Sequence, residues 1–259
     1  MTINLKTARI LISNDDGVEA EGIAILERIA RSISDDVWVV APEREQSGAG
    51  HSLSLHKPLR VRQVGERRFA VDGTPTDAVL LGVMEVMKDK RPDLMLSGIN
   101  RGSNLAEDVT YSGTVSAAME ATLLEIPSIA FSNQVTGVVD WRVPEHYTAE
   151  LIRTLAHTSI AHDRLLNVNF PAVPLAEVKG VRACAQGRRR LDDNLDRRTD
   201  PQGRPYIWIG GQRTEPFRDH PESDLSKIAQ GFITVTPLSL DMTDYPLLAA
   251  LSESVAGMA

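Results

Sequence analysis

An open, Rossmann-like α/β sheet of mostly parallel strands is the fold this sequence predicts, and two observations predict it. Short β-rich apolar runs alternate with helical patterns through the first 170 residues. The runs are apolar in near-continuous blocks, as strands are when helices cover both faces of a parallel sheet. Right-handed β-α-β crossovers then lead to a doubly wound sheet.

The first strand is Arg9–Ser13 (RILIS). Ile23, Leu26, Ile29 and Ala30 share one helical stripe behind it, and residues 37–41 (VWVVA) form the second strand. Between Ser47 and Val71 the pattern breaks. There 51–55, 59–63 and 68–71 read as a small antiparallel insertion. Residues 76–87 are apolar all round, which predicts a helix well inside the fold. Residues 94–97 make the next strand, and Val115, Ala118, Met119, Thr122 and Leu123 the next helical stripe. Strands at 128–132 and 165–170 follow, and a helix starting near Asp224 leads into the β-branched strand 231–238.

Composition changes between Val181 and His220, where nine arginines and six carboxylates occur without a lysine, interrupted by Pro201, Gly203, Pro205, Gly210 and Gly211. The alternating run Tyr206-Ile207-Trp208-Ile209 predicts a hairpin strand. This segment, about 181–220, reads as an extended arm on a single domain of residues 1–259. A solvated charged arm accounts for it; Tyr206, Trp208 and Phe217 favour an arm that embraces a partner subunit, because aromatics and arginine are enriched at interfaces.

The 259 residues carry 28 Lys and Arg against 35 Asp and Glu, a net charge of −7 that argues against a nucleic-acid polymer as partner. The one cysteine, Cys184, excludes an intramolecular disulfide framework. It reads as a buried strand residue. No apolar run approaches the ~18 residues of a membrane span, and the start, MTINLKTARILISNDDG, lacks a signal-peptide layout. A soluble cytoplasmic enzyme is the expectation.

Open α/β sheets bind ligands just past the carboxyl ends of their strands, so the loops there are the place to look. Strand one ends in Ser13-Asn14-Asp15-Asp16-Gly17. If Gly17 lets the chain curl, both carboxylates can reach one hard divalent cation, although Asn-Asp-Asp-Gly is also ordinary turn chemistry. After strand two comes 42–50 (PEREQSGAG), with Ser47 at the expected rim; a plain surface loop has the same composition. The third loop, 96–105 (LSGINRGSNL), is small, polar and rich in amides, and Asn100 and Asn104 offer carbonyl oxygens or N–H donors. Ser112 or Thr114 can cap the helix that follows, whose free N–H groups also suit a phosphate. At 72–77 (DGTPTD) helix capping is the preferred reading. Nucleophile-elbow, phosphate-loop and dinucleotide glycine motifs are absent, as is a zinc-binding H-E-x-x-H. His51 lies near the Ser47 loop and can assist; the other histidines read as ordinary surface or core residues. The inventory is carboxylates, amides, hydroxyls and backbone N–H groups, which favours metal-assisted chemistry on a phosphate.

Taken in order, residues 10–26, 39–55, 71–82, 92–105, 108–121 and 231–243 resemble the SurE family of survival-protein 5′/3′-nucleotidases, which are acid-phosphatase-like. The resemblance implies that Asp15, Asp16, Ser47 and Asn100 bind one divalent cation per subunit, Mg²⁺ or Mn²⁺. It implies that Asn104, Ser112, Gly113 and Thr114 hold the phosphate, and that Asp15, Asp16 and Asn100 are catalytic. Nucleoside monophosphates are the implied substrates, with polyphosphate a further one in some members. Homodimers or homotetramers with exchanged C-terminal arms are the implied assembly. Ala121 stands where the family usually has Gly. Two rival readings are an aspartyl-phosphatase with Asp15 as nucleophile and a non-catalytic nucleotide-binding module.

Overall fold

The computed structural model describes residues 3–158, 163–189, 195–209 and 220–256. Phe217, Gly210 and Gly211, named above, lie outside them, as does the histidine His162.

Nine strands form one sheet in the order β3-β4-β2-β1-β5-β6-β7-β11-β8. They are β1 (Arg9–Ser13), β2 (Asp36–Pro42), β3 (Val61–Gly65), β4 (Arg68–Val71), β5 (Leu94–Arg101), β6 (Ser128–Asn133), β7 (Arg164–Phe170), β8 (Val181–Ala183) and β11 (Ile233–Ser239). From β4 through β7 neighbouring strands are parallel. At the two margins β3 runs antiparallel to β4, and β11 antiparallel to β7. The chain moves outward from β1 to β2 and then returns to place β5 on the other side of β1. The order therefore reverses between β1 and β5, and a crevice opens at their carboxyl ends.

Alternation along the strands divides the interior into two cores. Ile10 and Ile12 of β1 join the core beneath α1 (Glu21–Arg31) and α4 (Arg142–Leu155), where Ile23, Leu26 and Ile152 are buried. Leu11 faces the other way, with Val79 of α2 (Pro75–Leu81) and Val115 and Ala118 of α3 (Gly113–Leu123). The Phe131 and Phe170 rings stack 6.2 Å apart on neighbouring strands.

Three expectations need correction. Residues 51–55 form no strand; the other two runs of the expected insertion do pair antiparallel, as β3 and β4, and β4 also lies parallel beside β2. The backbone at 51–55 is instead spent on side chains: Ser54 N–H donates to Asp77 Oδ1 at 2.9 Å, and Ser52 O accepts from Thr74 Oγ1 at 2.7 Å. The helix expected over 76–87 ends at Leu81 and continues as a wider turn over Gly82–Val86. In α3 the expected stripe is too narrow. Thr114, Ser116, Ala117, Glu120 and Ala121 are buried as well, whereas Leu123 is 58% exposed. The capping reading at 72–77 holds, because Thr74 caps α2 and Asp77 returns the bond to the Thr74 N–H. Cys184 is buried just beyond β8, its N–H donating to Val235 O.

The hairpin β9–β10 (Leu195–Thr199 and Pro205–Ile209) stands outside the main sheet as an antiparallel pair, exposed along its length. Helix α5 (Asp224–Ala229) precedes β11, and α6 (Tyr245–Val255) follows it with no buried residue.

Candidate active site

The crevice at the carboxyl ends of β1 and β5 gathers the polar loops. After β1 the chain curls at once: Asn14 Nδ2 donates to Gly17 O at 2.9 Å, and Gly17 takes φ 102°, a conformation L side chains avoid. The curl sends the two neighbouring carboxylates to different walls. Asp15 turns inward onto the first turn of α3, where the Thr114 hydroxyl donates to Oδ1. A Cβ on Gly113 would stand 2.6 Å from Asp15 Cβ and 2.9 Å from Oδ2, so only glycine admits the carboxylate so close to the helix. Asp16 turns toward β5 and accepts the Arg101 N–H on Oδ2 at 3.0 Å.

The loop after β2 is fastened to this turn by Gln46, whose N–H donates to Asp15 O at 2.7 Å. That places Ser47 beside Asp16, on the wall of one cavity. The Ser47 hydroxyl donates to Glu45 Oε1 at 2.9 Å. Asn100, near the end of β5, donates from Nδ2 to Gly102 O at 2.8 Å, which leaves Oδ1 as its ligand atom.

Asp15 is 4% exposed, and burial pushes its carboxyl up to about 6; the Asp16 charge adds to the rise and the Thr114 hydroxyl opposes it. Burial raises Asp16 too, against the Arg101 N–H. No salt bridge is formed by either among the described residues, although the Arg101 charge eases the rise at Asp16. A buried carboxylate with no cation beside it is costly, and this pair is what a divalent cation would neutralise. Two carboxylates, an amide oxygen and a hydroxyl are hard donors of the kind Mg²⁺ and Mn²⁺ take. No group of three His, Cys, Asp or Glu side chains able to hold a metal occurs among the described residues, so any cation here would need neutral oxygens besides the two carboxylates.

Ser112 is the N-cap of α3, its Oγ accepting the Val115 N–H at 3.0 Å, and the Thr114 hydroxyl is committed to Asp15. The Val115 N–H is taken by Ser112 and the Thr114 N–H also bonds Asp15, so what this turn offers an anion is the Gly113 N–H and the positive end of the helix. Asn104 is buried, with Nδ2 donating to Ser132 Oγ at 2.8 Å and its carbonyl accepting from Asn167 and Asn169 at 2.8 and 3.1 Å. It anchors the loop between β5 and α3. The structure thus brings Asp15, Asp16, Ser47, Gly113 and Thr114 together, with Asn100 on the adjoining strand and Asn104 set deeper.

Three contributors were not read from the sequence: the Gln46 N–H, the Arg101 N–H, and the Thr114 hydroxyl as the clamp on Asp15. The first two act through backbone, which leaves no residue-type signal. His51 bonds Glu120 of α3 at 3.0 Å, tying the Ser47 loop to that helix.

The family model described as Survival protein SurE matches residues 10–193. This chain belongs to the SurE family. It is 56% identical over 245 residues to 5′-nucleotidase SurE of Paramagnetospirillum magneticum, covering 94% of each chain. With 5′-nucleotidase SurE of Rhodospirillum rubrum it shares 54% over 254 residues, 96% of this chain and 97% of that one. Among solved structures, the SurE protein from Aquifex aeolicus superposes with a TM-score of 0.82 at 38% identity, covering 95% of this chain and 99% of that chain. Membership accounts for the fold. No helix among the described residues is long and apolar enough to cross a membrane.

Proposed function

We propose that this SurE chain is a metal-dependent 5′-nucleotidase, a phosphomonoesterase that releases phosphate from nucleoside 5′-monophosphates. The observation that carries the reading is the Asp15–Asp16 pair where the strand order reverses: Asp15 is buried against the first turn of α3 with no salt bridge, and Asp16 is half-buried on the cavity wall. The activity named for relatives of 54–56% identity supports it.

Asp15, Asp16, Ser47 Oγ and Asn100 Oδ1 would hold one Mg²⁺ or Mn²⁺. Such a cation, when bound, neutralises phosphate charge and acidifies water, which supplies a nucleophile without a histidine base. The residues around it do the positioning. Thr114 keeps Asp15 ionised and in one orientation. The Gly113 N–H and the positive end of α3 would stabilise the charge that grows on the phosphate oxygens. Ser112 keeps that turn formed, Gly113 lets Asp15 approach it, and Asn104 holds the adjoining loop.

Assembly as a homodimer or homotetramer through exchanged arms belongs to the same proposal. Tyr206, Trp208 and Ile209 on the hairpin are 40%, 62% and 92% exposed, and α6 presents Leu247, Leu248 and Leu251 to solvent; such surfaces call for cover.

The test is phosphate release from a panel of nucleoside 5′- and 3′-monophosphates after EDTA treatment, with Mn²⁺ or Mg²⁺ restored. Release that requires metal and is lost in Asp16→Ala is the expected result. Release that persists in EDTA, or in folded Asp16→Ala, overturns the reading.

A further inference from the structure

The first turn of α3 is delivered to Asp15 by the 3₁₀ turn Ala106–Thr110. The two turns are joined through Asp108, whose carbonyl accepts the Tyr111 and Ser112 N–H groups at 3.0 and 2.9 Å. Ser112 in turn caps α3. The place of Asp108 therefore decides where Gly113 and Thr114 meet Asp15.

This 3₁₀ turn opens on a strained residue. Ala106 is buried at φ 51°, a left-handed conformation in which a Cβ crowds the backbone. Such a residue keeps its place only where its surroundings over-determine it. Both of its backbone groups are held from much later in the chain. Its N–H donates to Asp224 Oδ2 at 3.0 Å, and its carbonyl accepts from Gln186 Nε2 at 2.7 Å. Asp224 Oδ1 also accepts the Gly187 N–H at 2.8 Å, which ties the two supports together. Arg189 completes the clamp: its N–H donates to Glu107 Oε2 at 2.8 Å and its Nη2 to Asp108 Oδ2 at 3.1 Å. The same Asp108 oxygen accepts the Leu105 N–H at 3.3 Å. The Arg189 side chain is 17% exposed, so these bonds form largely out of water, where removing the cation leaves carboxylates unmatched. Gln186 and Arg189 belong to the root of the arm, and Gln186 is 80 positions from the residue it holds.

We propose that Gln186 and Arg189 are positioning residues for phosphate release. From the arm root they hold the 3₁₀ turn in one conformation and so fix the first turn of α3 against Asp15. The inference rests on the nucleotidase reading and adds the arm root to what supports its chemistry. When the clamp is loosened, the Thr114 hydroxyl and the Gly113 N–H drift from their places. Their stabilisation of growing charge is then lost, which lowers kcat with little change in KM.

The experiment compares full-length Gln186→Leu, Arg189→Met and Arg189→Lys with the wild-type protein. It measures phosphate release from AMP with saturating Mn²⁺, calorimetric titration with Mn²⁺ alone, and molecular mass by light scattering. Gln186→Leu and Arg189→Met should each lower kcat by about ten- to a hundredfold, as a misplacement of about 1 Å does, with KM for AMP held within about twofold. Mn²⁺ should bind about three- to tenfold more weakly, because Thr114 no longer fully holds Asp15, yet at the wild-type number of sites per chain. Arg189→Lys keeps a donor for Asp108 and should recover most of both. Site number is the reading that a merely structural role would move, since partial unfolding removes sites and leaves the affinity of the remainder intact. Fewer sites at unchanged affinity therefore overturn the inference. Wild-type kcat and Mn²⁺ affinity in either Gln186→Leu or Arg189→Met do so too, as does a loss that appears only with a change of assembly. If Arg189→Met does not fold, Gln186→Leu decides. Failure of the nucleotidase reading looks different: the wild-type protein binds no Mn²⁺ or releases no phosphate from AMP.

Discussion

Replacing Asp15 with asparagine should stabilise the metal-free protein at neutral pH, although it removes a residue the site is built around. The folded-state carboxyl sits at about 6 against an ordinary 3.8, because burial outweighs the bond from Thr114. Two units at about 1.36 kcal/mol each come to roughly 3 kcal/mol. The sign follows from proton counting. Between about pH 4 and 6 the folded state holds a proton that the unfolded chain releases, so stability falls across that window and stays low above it. Asparagine cannot ionise, keeps an oxygen for the Thr114 hydroxyl, and escapes the penalty. Urea unfolding in EDTA should therefore show Asp15→Asn more stable than wild type by up to about 3 kcal/mol at pH 7.5, with the gap closing at pH 4. Divalent cation should reverse the ranking, because binding to the folded state stabilises only the protein that retains the site. A gap that is absent, or identical at pH 4 and pH 7.5, would refute the claim that buried charge at Asp15 costs folding energy.

Other perturbations act through the same walls. Gly113→Ala puts a methyl 2.6 Å from Asp15 Cβ and 2.9 Å from Pro75 Cγ, so kcat/KM should fall at least about tenfold (1.4 kcal/mol), read by phosphate release. Thr114→Val removes the hydroxyl that donates to Asp15 and should weaken Mn²⁺ binding by about ten- to a hundredfold, the worth of a bond to a charged group, read by calorimetric titration. Asp224→Ala orphans the N–H groups of Ala106, Gly187 and Leu225, now held at 3.0, 2.8 and 2.7 Å, and should cost about 3 kcal/mol or more in urea unfolding.

Those strands buried on both faces were legible because their apolar residues run nearly continuously, with few polar ones between. Arg9–Ser13 matches β1 at both ends, and the stripe Ile23, Leu26, Ile29 and Ala30 is the buried face of α1. Edge structure was less legible. Residues 68–71 pair with their hairpin neighbour β3, as alternation suggests, but their second, parallel pairing with β2 is long-range and leaves no mark on alternation. Residues 51–55 alternate like a strand, yet their backbone is claimed by Asp77 and Thr74, a claim written in tertiary contacts alone. Leu123 fitted the stripe but lies in the last turn of a helix otherwise enclosed by small residues. At the site, the loops could be named from their polarity, whereas their meeting could not. Asp15 and Thr114 are 99 positions apart, and Asp16 is held by a backbone N–H whose donor could be any residue but proline.

Geometry also bears on the rival in which Asp15 attacks phosphorus. A nucleophilic carboxylate must present an oxygen to the substrate, in line with the leaving group. Asp15 is 4% exposed, its Oδ1 is held by Thr114, and Oδ2 lies against Gly113; it is Asp16 that lines the cavity. Asp15 is placed to hold and be held, with no open approach for an incoming phosphorus. Acid quenching of a single turnover of radiolabelled nucleotide should therefore leave no label on the protein. A phosphorylated peptide containing Asp15, trapped at the rate of turnover, would establish covalent catalysis and reduce the cation to a helper in that step.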